Sequence, residues 1–481
     1  MLTCFIHSDG VLSQQTLNRW LSMPYVSFVF VDRAHHRLDG AQILNSHDWR
    51  SSGCIHEMAL HCQTEYLLLC DLTDEIDIDG LSLKRMLEIA AQTGADWVYS
   101  DYFSESGGEL LPHPVIDYQE GSLRDGFDFG RLILVRTVAF RAAASRVSGD
   151  YRYAALYSLR LNISQKGRLF RINEYLYTCR ESATEPAEQS MFRYVDPANR
   201  EVQAEMEEAC TQYLKDIDAW LPPVSLQTVD LREKSFPFEA TVIIPVRNRV
   251  KTTGDAIDSA LGQVTEFPFN IIVVDNHSTD GTTDLIAQKT AMHPDLIHHV
   301  PKRTDLGIGG CWNEAIHHDL CGRFAVQLDS DDLYAGSDAL QKIADCFYEN
   351  EAAMVIGSYR MVDFDLNGIP PGIIDHREWT RDNGCNNALR VNGFGAPRAF
   401  YTPVVRNLCF PNVSYGEDYA VALAISRYYH IGRIYEPVYL CRRWSGNSDA
   451  SLSVIRQNAH DTYKDRIRTI ELLARKQLID H

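Results

Sequence analysis

Short apolar runs alternate along this chain with segments whose apolar residues recur at helical spacing. In the second half, the runs Ala240–Asn248, Asn270–Asp275 and Phe324–Leu328 are separated by helical patterns at about Thr253–Leu261 and Thr282–Thr290. Apolar, β-branched runs bounded by turn residues are typical of buried strands in a parallel sheet that has helices on its faces. The alternation therefore predicts an α/β fold.

The first half of the chain repeats the order of the second half. Three of its segments have counterparts there: Pro24–Asp32 parallels Pro268–Asp275, Tyr66–Asp74 parallels Phe324–Asp332, and Tyr175–Arg180 parallels Pro437–Arg442. The offset between the members of a pair grows only from about 244 to about 262 residues. Repeated order at similar spacing predicts two tandem domains of one architecture. Chance similarity between two α/β halves is the alternative.

Prolines and helical patterns define the predicted domain boundaries. The sequence divides into a first domain, a linker with helices, a second domain and a C-terminal helix, at residues 1–183, 184–238, 239–456 and 457–481. The linker contains several prolines on either side of an acidic helical stretch near Glu201–Trp220. The amphipathic segment Asn458–Leu478 is expected to pack on the body of the protein rather than on a membrane.

Composition and charge restrict the classes of partner. The 481 residues carry a formal net charge of −19, which argues against nucleic acid and against strong attraction to anionic lipid. No apolar run approaches the ~20 residues of a membrane span, and the N-terminus does not resemble a signal peptide. The 12 cysteines form no CxxC pair, as expected in a reducing compartment. We expect a cytoplasmic location, with peripheral association at the inner face of the membrane as a further option.

An acidic cluster follows the apolar run that begins at Phe324. Asp329, Asp331 and Asp332 lie at the predicted carboxyl end of this strand, where open α/β sheets bind their ligands. Carboxylates so close together repel each other unless a cation lies among them. Hard oxygen ligands favour Mg²⁺ or Mn²⁺, which also bind phosphate oxygens, so a nucleotide diphosphate is a natural second ligand. A solvated acidic turn is the alternative for this stretch.

Two further features of the second half indicate a ligand that carries phosphate. Pro245 ends the first apolar run and precedes Arg247 and Asn248, and an arginine at a strand end can contact a pyrophosphate. An exposed loop arginine is the commoner alternative. Gly309 belongs to a glycine cluster that opens a helix containing Asn313, and such a cluster permits close approach of the backbone to a ligand. The alternative is that these glycines serve turns.

The motifs of the second half, taken in order and at their spacing, resemble those of family 2 glycosyltransferases of the GT-A fold. They read PVRN, VVDNHSTDG, GIGGCWNEA, QLDSDD and GEDYA, and the similarity covers about Ala240–Ser451. The resemblance implies an inverting glycosyltransferase that uses Mn²⁺ or Mg²⁺ and a nucleotide sugar, which we expect to be a UDP-sugar. The acceptor would be a glycan or another molecule that carries a saccharide. The implied fold is two tandem GT-A-like, Rossmann-like α/β domains, the first of them degenerate.

The resemblance assigns roles to acidic residues by their position in the motifs. Asp275 would bind the nucleobase, Asp329 the ribose or the metal, and Asp331 the metal on the diphosphate. Asp418 would be the catalytic base, with Glu417 beside it. The alternative for this pair is that both are helix N-terminal acids favoured by the helix dipole.

The acceptor side is expected from the segment Ile373–Tyr401, which is rich in glycine, amides and aromatic rings. Its candidates are Trp379, Phe394 and Arg398, since aromatic faces suit a sugar ring and polar groups suit its hydroxyls. For Trp379, an ordinary core position is the alternative. The family often ends its site with a Gln-x-x-Arg-Trp element. Here the glutamine is absent, so the resemblance carries over only Arg443, for the donor, and Trp444, for the acceptor.

The first half lacks the acidic residues that the second half offers for chemistry. Asp329-Ser330-Asp331 is matched by Asp71-Leu72-Thr73, and the acidic pair at 417–418 is matched by Tyr151-Arg152. Because arginine cannot serve as a base at ordinary pH, the first domain is predicted to be a scaffold or a recognition domain. It could also provide the face of a homodimer.

Two other functions compete with glycosyl transfer. A nucleotidyltransferase that makes a nucleotide sugar would also use an acidic metal site, although Ala240–Arg249 lacks the glycine-rich phosphate loop expected of one. A non-catalytic sugar-binding or assembly protein is the other alternative. The acidic residues Asp329, Asp331 and Asp418 argue against a protein that has lost catalysis in both halves.

Overall fold

The chain forms two compact units, and a computed structural model describes residues 1–8, 12–46, 48–73, 75–147, 149–180, 199–232, 235–377, 379–447 and 452–479. The first unit comprises the described residues up to 180, residues 199–220 and residues 453–479. The second comprises the described residues from 221 to 452. The helical part of the predicted linker and the C-terminal helix are therefore parts of the first unit. The predicted boundary at 183 lies outside the described residues.

Nine strands form the sheet of the first unit. They are β1 (Leu2–His7), β2 (Val26–Val31), β3 (Gln42–Ile43), β4 (Tyr66–Asp71), β5 (Glu75–Asp77), β6 (Trp97–Ser106), β7 (Glu109–His113), β8 (Leu132–Arg136) and β9 (Leu169–Arg180). Their order across the sheet is β3-β2-β1-β4-β8-β6-β9-β5, with β7 paired to β6. The helices are α1 (Gln14–Leu21), α2 (Ser52–His61), α3 (Gly80–Thr93), α4 (Thr137–Ala144), α5 (Ala155–Ser164) and α6 (Arg200–Asp216).

The sheet of the second unit also has nine strands. They are β10 (Ala240–Val246), β11 (Phe269–Asp275), β12 (Leu296–His299), β13 (Phe324–Gln327), β14 (Leu333–Tyr334), β15 (Met354–Val362), β16 (Gly368–Ile374), β17 (Arg398–Tyr401) and β18 (Ile431–Arg442). The helices are α7 (Thr253–Leu261), α8 (Thr282–Thr290), α9 (Ile308–Ile316), α10 (Ala339–Asn350), α11 (Gly384–Asn387), α12 (Thr402–Leu408) and α13 (Glu417–Ser426). The last helix, α14 (Val454–Ile479), belongs to the first unit.

The two sheets have the same strand order. The second is arranged β12-β11-β10-β13-β17-β15-β18-β14, with β16 paired to β15. Each strand of the second sheet therefore occupies the place of the first-unit strand whose number is nine lower. In both sheets the central parallel strands meet an antiparallel neighbour, β8 on β4 and β17 on β13. A shared order of this complexity does not arise from local propensity alone. It confirms the predicted fold class, two tandem α/β domains of one architecture.

Most of the predicted elements form at or within a few residues of their expected bounds. The helices predicted at about Thr253–Leu261 and Thr282–Thr290 form over those residues. The sequence also predicts a helix over Tyr419–Tyr428, and the helix formed there begins two residues earlier, at Glu417. The residue at the N-cap of α8 is Gly281, whose φ is 98°.

Helices α5 and α13 hold equivalent places in the two units. Each has ten residues and follows the helix that comes after the antiparallel strand. At the third position of each helix a buried tyrosine donates its hydroxyl to a backbone carbonyl, Tyr157 to Leu123 at 2.5 Å and Tyr419 to Ala388 at 2.6 Å. The two tyrosines therefore align the two helices residue by residue.

This alignment corrects the pairing that the sequence suggests for the acidic pair. Ala155 and Leu156, rather than residues of the segment Asp150–Tyr153, occupy the positions of Glu417 and Asp418. Neither alanine nor leucine can take up a proton. The first unit thus lacks both carboxylates at this place, which is a more complete loss than the sequence comparison indicates.

The C-terminal helix α14 packs into the first unit through polar contacts. The Ser122 hydroxyl donates to Asp465 at 2.8 Å, and the Gly121 amide donates to the Thr469 hydroxyl at 3.0 Å. Four charged residues of this helix are almost fully buried, and ion pairs within the helix join them in two pairs: Asp465 with Arg468, and Glu471 with Arg475. Pairing of this kind offsets the cost of burying charge.

Gly121→Ala is expected to destabilise the protein by about 1–3 kcal/mol, the usual cost of overpacking. A Cβ at this position would lie 2.2 Å from the Asp465 carbonyl oxygen and 2.3 Å from the Thr469 nitrogen, and backbone atoms of a helix cannot yield. Urea unfolding measures the change. Gly126→Ala is the matched control, because a Cβ there meets no atom within 4 Å. Equal stability of the two variants would show that α14 does not pack on Gly121.

No helix among the described residues is both long enough and apolar enough to span a membrane.

Candidate functional site

A cleft of about 340 Å³ opens in the second unit at the carboxyl ends of β10 and β13. The first turn of α13, the start of β17 and the start of α9 contribute to its walls. Its polar lining includes four carboxylates and three guanidinium groups: Asp329, Asp331, Glu417, Asp418, Arg247, Arg249 and Arg398. Residues nearly 90 positions apart in sequence therefore meet in one cavity, at the edge of the sheet where the sequence places a ligand.

Asp329 is held in place from both sides. Its backbone N–H donates to the Tyr439 hydroxyl at 3.0 Å, and the Gln327 side-chain amide donates to its Oδ1 at 2.9 Å. Burial, together with the nearby carboxylates Asp331 and Asp418, raises the pKa of Asp329, although Arg398 and the amide act in the opposite direction. The carboxylate is thus positioned where a further positive charge would favour its ionised form.

The two other aspartates of the acidic cluster point to different partners. Asp331 lines the cleft, and its Oδ2 accepts from the Asn447 amide at 3.1 Å and from the Trp444 indole at 3.4 Å. Asp332 is buried and accepts the Arg442 amide at 2.7 Å, so it ties the acidic turn to strand β18. Burial and the neighbouring aspartates raise the pKa of Asp332 well above its ordinary value.

Arg398 is close to two of the carboxylates of the cleft, Asp418 and Asp329. Its Nη1 lies 2.8 Å from Asp418 Oδ2, and the charges of Asp418 and Asp329 outweigh burial and raise the pKa of the guanidinium. The Tyr419 amide donates to the other oxygen of Asp418 at 2.7 Å. Asp418 is therefore oriented at the start of α13 and faces a fixed positive charge.

Glu417 is buried, and its Oε2 has no hydrogen-bond partner among the residues that the structure describes. Burial, and then repulsion by Asp418, raises the pKa of Glu417 to about 8, against smaller opposing effects that include Arg398. The two acids of the pair thus differ in environment. Asp418 is paired to Arg398, whereas Glu417 is buried in surroundings that favour its neutral form.

The donor set suits a hard divalent cation bound by few protein groups. Among the described residues, no three histidine, cysteine, aspartate or glutamate side chains form a ready ligand cluster. Asp329 and Asp331 are therefore the candidate ligands, with the remaining positions left to water and phosphate oxygens, as Mg²⁺ and Mn²⁺ commonly require.

The predicted donor residues near β10 divide into two groups. Pro245 and Arg247 line the cleft. Asn248 instead shapes the turn that follows, with φ 56° and its side-chain oxygen accepting the Thr279 amide at 2.7 Å. Asp275 is buried at the end of β11 and does not line the cleft, although its neighbour Asn276 does.

Hydrogen bonds hold Asp275 ionised in spite of its burial. Thr283 Oγ1 donates to it at 2.6 Å and the Ser278 amide at 3.0 Å, and His298 Nε2 lies 3.3 Å away. Burial acts against ionisation, but these bonds outweigh it and lower the pKa of Asp275. The residue stabilises the loop that begins at Asn276.

Gly309 and Asn313 serve the packing of α9 rather than the surface of the cleft. A Cβ on Gly309 would lie 1.9 Å from the Pro411 carbonyl oxygen, so the glycine permits close approach of another backbone segment. The Asn313 side chain exchanges two hydrogen bonds of 2.8 Å with the Phe410 backbone. The glycine cluster thus brings the 411–417 segment, and with it Glu417, up to the cleft.

The predicted acceptor residues also occupy different surroundings. Trp379 and Phe394 are buried, with ring centroids 5.3 Å apart, and Phe394 packs against Tyr419 of α13. Their rings are therefore not exposed for a sugar to stack on. For Trp379 this corresponds to the alternative of an ordinary core position. Arg398 faces Asp418 and Trp444 contacts Asp331, so both lie on the side of the acidic residues. Arg443 does not line the cleft, and its backbone amide donates to Val362 at 2.8 Å.

Arg249 lines the cavity two residues after Arg247, in the tip where the sequence predicts arginines that contact a pyrophosphate. Two residues that support the acidic cluster are not among the site residues predicted from the sequence. One is Asn447, which holds Asp331. Gln327 supports Asp329 from a position 3% exposed at the end of β13. The sequence does contain a signal for Gln327, since it is the polar residue that interrupts a fully buried apolar run. Nothing in the sequence marks Asn447, which reaches the site from a distant turn.

Glu417→Gln is expected to stabilise the metal-free protein, and by more at pH 8 than at pH 5. Because the pKa of Glu417 is about 8 in the folded protein against an ordinary value of 4.5, the folded state holds an extra proton between these values. The cost of burying the acid therefore grows as the pH rises to about 8, and at pH 7 the free energy of unfolding of the glutamine variant should be higher by on the order of 3 kcal/mol.

Thermal unfolding in a chelator at several pH values measures this difference. The groups that face Glu417 in this experiment are Asp418, Arg398 and Asp329. Glu349→Gln, a change at an exposed glutamate of α10, is the matched control. A gain in stability of Glu417→Gln that does not depend on pH would contradict the expected neutral state of Glu417.

Comparison with known proteins gives a family model that matches residues of the second unit, and several similar proteins. The family model described as Glycosyl transferase family 2 matches residues 241–400. A poly(ribitol-phosphate) beta-glucosyltransferase of Bacillus spizizenii is 25% identical over 244 residues, 48% of this chain and 36% of that protein. A putative teichuronic acid biosynthesis glycosyltransferase, TuaG of Bacillus subtilis, is 28% identical over 149 residues, 31% of this chain and 58% of that protein. An uncharacterized Mycobacterium bovis protein is matched over only 27% of its length, so the chain spans less than two thirds of each of these relatives.

Among solved structures, S. aureus TarS in complex with UDP-GlcNAc is similar to this chain with 21% identity and a TM-score of 0.37. The similarity covers 49% of this chain and 72% of the TarS chain. The family match covers strands β10 to β13, the acidic cluster and Arg398. Four of the five motifs that carry the resemblance lie in that region, and GEDYA lies after it. The match confirms the resemblance. Residues 241–400 of this chain therefore form a domain of glycosyl transferase family 2.

Proposed function

We propose that the second unit transfers a sugar from a nucleotide sugar, expected to be a UDP-sugar, to a hydroxyl group of an acceptor that carries a saccharide. The observation that carries this proposal is the meeting of Asp329 and Asp331 with Glu417 and Asp418 in one cleft lined by arginines. Such a cleft offers a place for a cation with a diphosphate and, beside it, a base. Glycosyl transfer needs both.

The donor side of the cleft is suited to a leaving nucleotide diphosphate. Asp329 and Asp331 would hold Mn²⁺ or Mg²⁺, and a bound cation of this kind neutralises charge that develops on the leaving group. Arg247 and Arg249 add positive charge at the end of β10, where they can contact phosphate oxygens. Asn447 and Trp444 keep the Asp331 carboxylate oriented toward the same space.

The acceptor side is suited to removing a proton from a hydroxyl. A hydroxyl has a high pKa and needs a base aligned with it as attack proceeds. Asp418 is the proposed base, since its carboxylate lies in the cleft and its pairing with Arg398 favours the ionised form. A single displacement with this base requires no protein nucleophile and would invert the anomeric centre.

The proposed acceptor class is supported by the relatives only through their names. One is described as a poly(ribitol-phosphate) glucosyltransferase and another as a teichuronic acid biosynthesis glycosyltransferase. We therefore include polyol-phosphate polymers, together with neutral glycans, among the acceptors to be tested. The sugar, the acceptor and the linkage are to be found by experiment.

The first unit is proposed to lack transfer chemistry of its own. Thr73 occupies the position of Asp331, and Ala155 and Leu156 occupy those of the acidic pair. The remaining carboxylate, Asp71, lies 3.2 Å from Arg131 and accepts the Thr73 hydroxyl at 2.9 Å. An aspartate paired in this way serves structure, and the unit is a scaffold or a recognition domain.

A panel of nucleotide sugars tests the proposal. Thermal shift with Mn²⁺ should select one or a few of them, and the selected donor should then lose its sugar to an acceptor in the panel. Incubation with a nucleoside triphosphate and a sugar phosphate tests the competing nucleotidyltransferase function. Formation of a nucleotide sugar in that reaction, or the absence of any stabilisation by nucleotide sugars, would overturn the proposal.

A further inference from the structure

One buried side chain links the donor side of the cleft to the base side. Gln327 is the last residue of β13, and in the antiparallel pair with β17 the register Val326↔Ala399 places it opposite Arg398. No backbone pair forms at this position. Instead, the Arg398 amide donates to the Gln327 side-chain Oε1 at 3.0 Å, so the glutamine continues the ladder with its side chain.

The orientation of this amide follows from its partners. A backbone N–H can only donate, so the group facing Arg398 must be the oxygen of the glutamine. The nitrogen then faces Asp329 and donates to Oδ1 at 2.9 Å. Both partners are therefore satisfied by one orientation of a single carboxamide, and the opposite orientation would satisfy neither.

The same connection continues to the proposed base. Arg398 Nη1 donates to the Gly395 carbonyl at 2.8 Å and lies 2.8 Å from Asp418 Oδ2. A route of direct contacts thus runs from Asp329 through Gln327 and Arg398 to Asp418. We propose that Gln327 is a positioning residue that fixes Asp329 on the donor side and Arg398 on the base side relative to each other.

This inference rests on the proposed function, because it assigns Gln327 to the geometry of the same reaction. Its physical basis is that two groups borne by different strands reach the reacting atoms only if their spacing is fixed. Small misplacements of such groups reduce rates strongly. An apolar residue would fill the space at the end of β13 equally well, but it would leave the Arg398 amide and the Asp329 carboxylate without this partner.

The test is Gln327→Met, which preserves approximate size and removes both hydrogen bonds. Hydrogen bonds to charged groups are strong, so the Kd for UDP with Mn²⁺ should rise about tenfold, and kcat for sugar transfer should fall about tenfold as well. Calorimetry measures the first quantity, and it is independent of turnover.

A second variant separates the bond that Gln327 donates to Asp329 from the bond that it accepts from Arg398. Gln327→Glu keeps an acceptor for the Arg398 amide and removes the amide donor to Asp329. Its Kd for UDP with Mn²⁺ should therefore rise, whereas its kcat at saturating donor should fall less than that of Gln327→Met. A purely structural role would not produce this division between affinity and rate.

Gln263→Met is the matched control. Gln263 is also a buried glutamine of the second unit whose amide bonds to backbone groups, namely the Gly336 carbonyl at 2.8 Å and the Leu340 amide at 3.0 Å. It does not line the cleft. This variant should lose stability and retain the Kd and kcat of the wild-type protein.

Two results would overturn the inference in distinguishable ways. If Gln327→Met binds UDP with Mn²⁺ and transfers sugar as well as Gln263→Met does, Gln327 has no positioning role although the proposed function stands. If the wild-type protein neither binds nucleotide with Mn²⁺ nor transfers sugar, the proposed function fails and the inference fails with it.

Discussion

Replacing Asp418 by asparagine is expected to lower kcat for sugar transfer by at least about 100-fold, the scale of general-base catalysis. The amide keeps the shape of the side chain but cannot take up the proton of the acceptor hydroxyl. Binding of the donor should survive. The Kd for UDP with Mn²⁺ should be unchanged or lower, because a negative charge near the diphosphate is removed and Arg398 is released from its ion pair.

Asp284→Asn is the matched control for this variant. Asp284 also lies in the first turn of a helix in the second unit, but it is exposed and is not among the residues of the cleft. The control should transfer sugar at the wild-type rate. Turnover of Asp418→Asn at a similar rate would contradict the assignment of the base. It would also leave room for a catalytic centre elsewhere in the chain, including the first unit.

Asp331→Ala is expected to weaken UDP binding in the presence of Mn²⁺ by at least about 100-fold, since a carboxylate ligand and its charge are both lost. Without a divalent cation, the variant and the wild-type protein should bind UDP equally weakly. Titration calorimetry with and without Mn²⁺ measures both comparisons. The dependence on Mn²⁺ is the decisive quantity, because a general loss of fold would weaken binding under both conditions.

Asp345→Ala removes an exposed aspartate of α10 and is the control for the change in charge. It should show the full effect of Mn²⁺ on UDP binding. If Asp331→Ala also retained the full effect, Asp331 would not be a ligand of the cation. The pairing of Asp331 with Asn447 and Trp444 would then be a structural feature of the turn.

The comparison of the two units shows how one architecture is kept while its site is lost. The strand order is the same in both sheets, since it depends on buried apolar runs that both halves possess. The acidic positions are different. Asp329 has a counterpart in Asp71, but Asp71 is neutralised by Arg131, while Thr73, Ala155 and Leu156 replace the other carboxylates. Under the proposed function, these few differences at the ends of strands and helices distinguish the site of the second unit from its counterpart in the first.

The sequence predicts well the features that depend on local patterns. The apolar runs predict the strands β10, β11 and β13, and the helical spacing predicts α7 and α8, because burial of a strand and of a helix face imposes different periods. The acidic residues after β13 are predicted to lie at a ligand-binding edge for the same reason. The position of such an edge follows from the parallel arrangement of the strands.

The sequence predicts poorly which of the candidate side chains face the ligand. Trp379 and Phe394 are chosen for their chemistry, and they are buried behind α13. Gly309 is chosen as a place where a ligand approaches the backbone, and the space beside it is filled by Pro411. A residue type indicates what a side chain can do, but its direction depends on packing against segments that are distant along the chain.

By itself, the sequence determined that this protein has two α/β domains and that the acids of its second half lie at strand and helix ends, since hydrophobic period and turn chemistry are local properties. Only the tertiary structure decided that Arg398 stands between Asp329 and Asp418, and that Gln327 joins two of these groups. The bond between Gln327 and Arg398 joins residues 71 positions apart in the chain, so it exists only when the sheet has formed.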